Sequence, residues 1–265
     1  MNVLEICVDS VESAAAAERG GAQRVELCSD LLEGGITPSA GQISLVRRRI
    51  GISLFVMIRP RGGDFCYTAE EFAVMQRDIR EARTLGANGI VLGILDEQAR
   101  VDVRRTKQLV ELAVPLEVTF HRAIDMTPNP RIALEDVIAT GARRVLTSGG
   151  AARVTRGLTV VAGMVEAAKN RIVVMAGGGV TPRTVSRIAK ATGVGEFHAS
   201  LTTAVASPMR YRRAGMAMGK IRGREYLRFL VQEEKVRELA DAMRRSSGHD
   251  SKNEERGPDF VSRRV

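Results

Sequence analysis

Two short segments near the start of the chain each carry a glutamate two positions before a cysteine. The first holds Glu5 and Cys7, and the second holds Glu26 and Cys28. Cysteines in a reducing compartment are thiols that are available for metal or redox chemistry. The repeated pattern therefore predicts a thiol-based site. The alternative interpretation is that the two cysteines are small buried hydrophobic side chains.

The segments around the two cysteines have the pattern of neighbouring parallel strands. Each lies in a run with alternate Val, Leu or Ile, and an alanine-rich helix with Ser10 as N-cap is expected between them. A helical crossover returns the chain in the same direction, so both cysteines are expected at carboxyl ends on one edge of a sheet. Because side chains alternate along a strand, Glu5 shares a face with Cys7, and Glu26 shares one with Cys28.

Eight short apolar runs alternate with helical segments over about the first 200 residues. Strict alternation favours a parallel sheet, and eight units predict a closed (β/α)8 TIM barrel, an α/β fold, as a single domain over residues 1–244. An open doubly wound sheet is the alternative, but no strand is followed by a Gly-x-Gly-x-x-Gly motif. Thr37 and Pro38 predict the start of the second helix, and Thr68 with Glu71 predicts a capping box on the third.

The last part of the chain is expected to depart from the barrel pattern. The spacing of its apolar residues predicts a helix from about Glu225 to Arg244. Residues 245–265 are polar and charged with few apolar side chains, so a disordered basic tail is predicted there.

Charge and composition limit the classes of partner. The net charge is +9, but the Lys and Arg residues are scattered and aromatic residues make up only 4% of the chain. Nucleic acid is therefore not expected as a partner, because no cluster of aromatic side chains on which bases could stack accompanies the charge. No 18-residue apolar run is present, and the first strand begins at Val3, which leaves no room for a signal peptide. A cytoplasmic protein without a membrane partner is expected.

Polar and charged side chains are expected inside the barrel. Alternation directs Glu117 and His121 of strand five and Glu196 and His198 of strand eight inward, and Arg59 joins them from strand three. Buried charges are costly unless they pair, bind a ligand or touch water at the barrel mouth. The set predicts a functional site at the mouth. The alternative is a structural network in which the arginine and the histidines neutralise the glutamates.

Several sequence blocks resemble the CutC family of copper homeostasis proteins. The blocks are LEICVDSVESA at 4–14, GGAQRVELCSDLLEGGITPSAG at 20–41, VMIRPRGGDF at 56–65, VTFHRAIDM at 118–126, RVLTSG at 144–149, RIVVMAGGGVT at 171–181 and EFHAS at 196–200. The resemblance extends from residue 1 to about residue 243. It implies a cytosolic (β/α)8 barrel that forms a homo-oligomer, either a dimer or a tetramer, and takes part in copper handling. It also implies that Cu(I) binds at Cys7 and Cys28, whereas Cys66 has no counterpart and is expected to be incidental.

The chemistry of two thiols agrees with a copper site. Cu(I) is a soft ion that accepts two thiolates in a near-linear arrangement, and neighbouring strands lie about 4.8 Å apart. Zn(II) prefers four ligands, and His121 or His198 is expected to reach it only from across the barrel. Cu(I) is therefore the expected metal.

A second hypothesis is a barrel enzyme that acts on a small phosphorylated or carboxylated metabolite. Gly177, Gly178 and Gly179 precede a helix predicted to start at Thr181 and Pro182 and would present free amides to an anion, although a tight turn explains them equally well.

Charged side chains near the strand ends supply the other parts of such a site. The anion-binding candidates are Arg59, Arg61 and Arg122, and the acid–base candidates are His121, Glu117, Glu196 and His198. Asp64 and Asp125 are interpreted as partners of nearby arginines that stabilise the loops.

Overall fold

A closed barrel of parallel strands forms the centre of the molecule. The structure is a computed structural model that describes residues 2–218, 221 and 223–247. Eight strands pair in chain order, and the eighth pairs with the first. They are β1 (Val3–Val8), β2 (Arg24–Leu27), β3 (Ser53–Met57), β4 (Gly89–Leu92), β5 (Glu117–Phe120), β6 (Arg144–Thr147), β7 (Val173–Ala176) and β8 (Glu196–Ala199). The predicted (β/α)8 barrel is confirmed.

Helices surround the barrel. They are α1 (Val11–Arg19), α2 (Ala40–Arg49), α3 (Ala69–Thr84), α4 (Val103–Ala113), α5 (Pro130–Ala139), α6 (Leu158–Ala168), α7 (Val185–Thr192) and α8 (Glu233–Ser247). The last helix contacts both α1 and α7 and so closes the outer ring. It lies so close to α1 that a β-carbon on Gly20 would come within 2.5 Å of the Val236 β-carbon. None of the described helices is both long and apolar enough to cross a bilayer.

The main hydrophobic core lies between the strands and the helices. Leu4, Ile6 and Val8 of β1 are fully buried in this layer. Burial of each such side chain contributes roughly 1.5–3 kcal/mol, so this layer supplies most of the apolar stabilisation. A separate small apolar cluster inside the barrel contains both Cys7 and Cys28. The alternation predicted for β1 therefore sends its polar and thiol side chains to the interior.

Local side-chain hydrogen bonds fix where the helices begin. Ser10 caps α1 as predicted, and Thr68 forms the predicted capping box on α3. The predicted start of α2 at Thr37 is wrong. Ser39 is the N-cap because its hydroxyl and the Gln42 side chain satisfy each other's backbone amides. Thr37 instead exchanges hydrogen bonds with the backbone of Arg59, which attaches this loop to the end of β3.

The segment after the barrel differs from the prediction of one long helix. Leu227–Val231 forms β10, which pairs antiparallel with β9 (Thr202–Ala206), and the helix begins only at Glu233. The apolar spacing suits a helix, but pairing with β9 outweighs that preference. The helix continues to Ser247, so the predicted tail does not start at residue 245, and residues 248–265 lie outside the described part of the chain.

Gly89 gives a direct test of packing inside the barrel. A β-carbon there would come within 2.5 Å of the Phe55 ring, which is buried. We expect Gly89→Ala to lower the free energy of unfolding by about 1–3 kcal/mol, because overpacking forces a rigid core to shift. Urea denaturation monitored by circular dichroism measures this change.

Gly163 is the matched control for that substitution. It lies within α6, and among the described residues a β-carbon there would meet no atom within 4 Å apart from its chain neighbours and its own helix backbone. Gly163→Ala should raise the free energy of unfolding by about 0.4–1 kcal/mol. Equal stability of the two variants would contradict the packing described for Phe55.

Candidate functional site

A cavity of about 270 Å³ opens at the carboxyl ends of the strands. Its wall includes residues that follow several different strands, among them Arg59 after β3, His121 after β5, Gly178 after β7 and Ser200 after β8. Cys7 and His198 also line it. Active sites of (β/α)8 barrels lie at this end of the barrel because loops from every strand converge there.

One wall of the cavity carries a compact set of metal-ligand side chains. One ligand atom from each of Cys7, Glu26 and His198 lies within 4.8 Å of the other two. The Cys28 sulfur lies 3.9 Å from the Cys7 sulfur and 3.6 Å from a Glu26 carboxyl oxygen. Both cysteines are buried and neither forms a disulfide. The structure therefore brings the two thiols together and adds a carboxyl group and an imidazole.

His198 reaches this cluster because β8 lies beside β1. Glu5 and His198 are partners in the register of the two strands, and His198 Nδ1 lies 2.7 Å from Glu5 Oε1. Its other nitrogen, Nε2, lies 3.8 Å from Glu26 Oε2. A carboxylate on one ring nitrogen fixes the orientation in which the other nitrogen faces a site. The expectation that His198 could act only from across the barrel is wrong, because closure of the barrel makes it a neighbour.

The charge of Glu5 is balanced from two sides. Burial raises the pKa of this carboxyl, but the hydrogen bond with His198 and the charge of Arg24 outweigh burial and lower it to about 2. Arg24 forms an ion pair with Glu5 inside the barrel. Burial opposes a charge on His198, yet the surrounding acidic groups, Glu26, Cys7 and Glu5, raise its pKa well above the usual value.

The two thiols differ in acidity. The hydrogen bond with Cys28 is the main cause that lowers the pKa of Cys7 to about 5, with help from His198 against burial. The same hydrogen bond, together with burial, raises the pKa of Cys28. Burial and the charge on Cys7 also raise the pKa of Glu26. At neutral pH the cavity wall therefore contains a Cys7 thiolate beside a His198 imidazolium.

Glu117 and Glu196 lie at the other end of the barrel. They begin β5 and β8, and neither lines the cavity. Glu196 lies 2.5 Å from nitrogens of both Arg24 and Arg144, and Glu117 lies 3.2 Å from Arg144. These glutamates belong to a structural ion-pair network. Its cations are Arg24 and Arg144, whereas the alternative sequence interpretation assigns that role to Arg59 and the histidines.

Arg24 and Arg144 are the interior residues that the sequence reasoning missed. Both guanidinium groups lie over the Phe55 ring, at 4.9 Å and 5.4 Å from its centre. Alternation could have identified Arg24, because it lies two positions before the inward-facing Glu26 in β2.

The lining of the cavity also contains Arg59 and His121. The Arg59 guanidinium donates to the backbone oxygens of Glu33, Gly35 and Gly63, which joins the loops after β2 and β3. His121 Nδ1 accepts a hydrogen bond from the Ala123 amide, so its proton lies on Nε2. Burial and the charge of Arg59 lower the pKa of His121 to about 3, so this histidine is neutral.

The glycine-rich loop differs from a helix N-terminus. The Gly177 amide donates to the Thr147 carbonyl oxygen. The predicted helix start at Thr181 is wrong, because its amide bonds to the Thr184 hydroxyl and α7 begins at Val185. Gly178 and Gly179 line the cavity in left-handed conformations, with φ of 90° and 85°, which suit a turn.

The remaining candidates act within loops. Asp125 accepts hydrogen bonds from Arg122, Thr147 and Ser148, and Asp64 pairs with Arg61. Arg61 also pairs with Glu71 outside the cavity, and Cys66 is exposed. Of the predicted anion-binding arginines, the structure places Arg59 and Arg122 at the cavity and Arg61 away from it.

The pKa values of the two cavity histidines should be shifted in opposite directions from the ordinary value. At about pH 7 we expect His198 to be protonated and His121 to be neutral with its proton on Nε2, and His121 should accept a second proton only near pH 3. Imidazole NMR shifts followed from about pH 8 to 4 measure both, with His121→Gln and His198→Gln for assignment. Titration of both rings near the ordinary value of about 6.5 would contradict the charge distribution described here.

The chain matches known proteins over most of its length. Residues 2–203 match the model of the CutC family. A family protein CutC of Chromobacterium violaceum is 50% identical over 91% of this chain and 98% of its own length. The copper homeostasis protein cutC homolog of Mus musculus is 48% identical over 89% of this chain and 88% of its own length. A solved CutC structure from Streptococcus agalactiae has 35% identity and a TM-score of 0.72, covering 75% of this chain and 98% of that one. The chain therefore belongs to the CutC family.

Proposed function

We propose that the protein binds Cu(I) through Cys7 and Cys28 and takes part in copper homeostasis. The observation that supports this most is the pair of buried sulfurs 3.9 Å apart at the cavity wall, one of them with a pKa lowered to about 5. Thiolates are soft ligands that select Cu(I). The mouse and human relatives, about half identical to this chain, are named copper homeostasis proteins.

The protonation of the cluster favours Cu(I) over Zn(II). Four-ligand Zn(II) would have to displace protons from Cys28, Glu26 and His198, whose pKa values are all raised. Cu(I) held by the two sulfurs displaces only the proton of Cys28. The donors therefore fit a small soft cation better than a hard or four-coordinate one.

The spacing of the sulfurs assigns a role to a third group. Their separation of 3.9 Å is shorter than two metal–sulfur bonds of about 2.3 Å each, so a linear arrangement requires the sulfurs to move apart. An ion bound without that movement is bent, and Glu26 and the Nε2 atom of His198 are the further ligand atoms close to Cys7, each of which would lose its proton on coordinating the ion. We therefore propose a bent site in which His198 is a third neighbour of the ion, in place of the near-linear arrangement expected from the sequence.

The proposed activity belongs in the cytoplasm, where thiols stay reduced. The homo-oligomer implied by the family resemblance stays a prediction. Light scattering coupled to size exclusion distinguishes a monomer, a dimer and a tetramer of the full chain.

Anaerobic titration of Cu(I) against a chromophoric chelator tests the thiol site. We expect Cys7→Ser and Cys28→Ser each to weaken binding by more than about 100-fold, because even outer partners of a metal site change affinity 10- to 100-fold. His198→Gln should weaken it by about 10-fold or more and leave the two sulfurs in place.

Cys66→Ser is the matched control, because this thiol is exposed and lies outside the cluster. It should bind Cu(I) as the wild type does. Unchanged affinity in the Cys7→Ser, Cys28→Ser double variant would refute the proposal. Tighter binding of Zn(II) than of Cu(I) under competition would contradict the choice of metal and identify Zn(II) as the ion that the site prefers.

A further inference from the structure

We infer that the part of the cavity lining formed by Arg59, His121 and Arg122 binds the negatively charged group of a small organic anion. This inference is independent of the copper proposal, because it rests on Arg59, His121 and Arg122 and uses neither cysteine. The group that binds is a carboxylate or a phosphate, and it is carried by a short organic molecule.

Arg59 supplies the first argument. Its residue is 5% exposed, yet no carboxylate oxygen of the described residues lies within 4.0 Å of its guanidinium nitrogens. Its guanidinium donates hydrogen bonds to the backbone oxygens of Glu33, Gly35 and Gly63, and its buried Nε has no partner among the described residues. The Phe65 ring covers it at 5.0 Å. Carbonyl dipoles solvate a guanidinium without neutralising it, so a buried positive charge remains beside the cavity.

His121 supplies the second argument. It is also 5% exposed, and its Nε2 has no hydrogen-bond partner among the described residues. Because Nδ1 accepts from the Ala123 amide, Nε2 carries the proton and is a donor without an acceptor. A buried donor left unpaired is destabilising, and an oxygen of a bound anion would accept its hydrogen bond.

Arg122 and the glycine loop supply the third argument. Arg122 is held by Asp125 and Ser148 through its Nε and Nη2 atoms. A β-carbon on Gly178 would lie 3.6 Å from Nη1, so the glycine leaves this edge of the guanidinium free of a side chain. The same rim therefore presents a second, oriented cation to the cavity.

The rest of the wall limits the size and polarity of the ligand. A volume of about 270 Å³ is at the lower end for ligand pockets. Met57, Phe65, Leu146 and Val180 form an apolar part of the lining. The site thus suits a compact molecule with one anionic group and a short apolar or polar body, and not a nucleotide.

Calorimetric titration of the metal-free full chain at low ionic strength tests the inference. The probes are glycerol 3-phosphate and inorganic phosphate for one source of the charge, and butyrate and succinate for the other. We expect at least one probe to bind, and Arg59→Met and His121→Asn each to weaken it by about 10-fold or more, because hydrogen bonds to charged groups contribute about 1.5–3 kcal/mol. His121→Asn retains an acceptor for the Ala123 amide, so it preserves the local turn.

Two matched controls separate the site from general effects of charge. Arg61→Met removes a neighbouring arginine that pairs with Glu71 and Asp64 and does not line the cavity, and it should leave the affinity within about twofold. The Cys7→Ser, Cys28→Ser double variant should also retain anion binding. Arg59→Lys keeps the charge and should recover part of the affinity lost in Arg59→Met.

The results of these titrations decide whether the cavity contains an anion-binding site. Failure of all four probes to bind the wild type at millimolar concentration overturns the inference. Equal loss in Arg61→Met and Arg59→Met, or no loss in His121→Asn and Arg59→Met, overturns it as well. Binding confined to the phosphate probes or to the carboxylate probes supports the site and identifies its anion.

Discussion

The pairing of the buried Glu5 carboxylate with Arg24 and His198 is the interaction on which the interior depends. Strand β1 pairs with β2 on one side and β8 on the other, and the register places Glu5 opposite both partners. A buried carboxylate without these partners would be strongly destabilising. Pairing of β8 with β1 therefore closes the barrel and also brings His198 to the Glu5 carboxylate, whose charge it helps to balance.

This arrangement divides the interior into layers with different tasks. At the amino end of the barrel, Glu196 forms ion pairs with Arg24 and Arg144. Both guanidinium groups also lie over the Phe55 ring. Above these ion pairs, Glu5 orients His198 toward the thiols. The same barrel wall thus supports a protonated histidine beside the sulfurs, whereas His121 is neutral because it is buried beside Arg59. Position relative to fixed charges, and not residue type, decides the state of each ring.

The sequence predicted the architecture well because every strand-helix unit repeats the same pattern, so single errors did not change the fold. It predicted the thiol pair because alternation within β1 and β2 is local. It could not supply the contacts made by closure, and His198 was therefore placed across the barrel. Glu117 and Glu196 were assigned to the mouth because their depth depends on where each strand begins, and strand ends are poorly defined by propensity. The apolar spacing of β10 predicts a helix for a related reason: its partner β9 lies more than twenty residues earlier in the chain, and local spacing carries no information on that pairing.

The pairing of β8 with β1 has a consequence for synthesis on the ribosome. Cys7 and Cys28 emerge early, but His198 is made about 170 residues later, and α8 packs on α1 only after that. Contacts between such distant segments form late because loop closure must precede them. A nascent chain therefore contains both thiols for most of its translation without His198, which helps to lower the pKa of Cys7 in the folded barrel. The lowered pKa of Cys7 is thus a property of the closed barrel, and the growing chain lacks the thiolate that would react most readily at neutral pH.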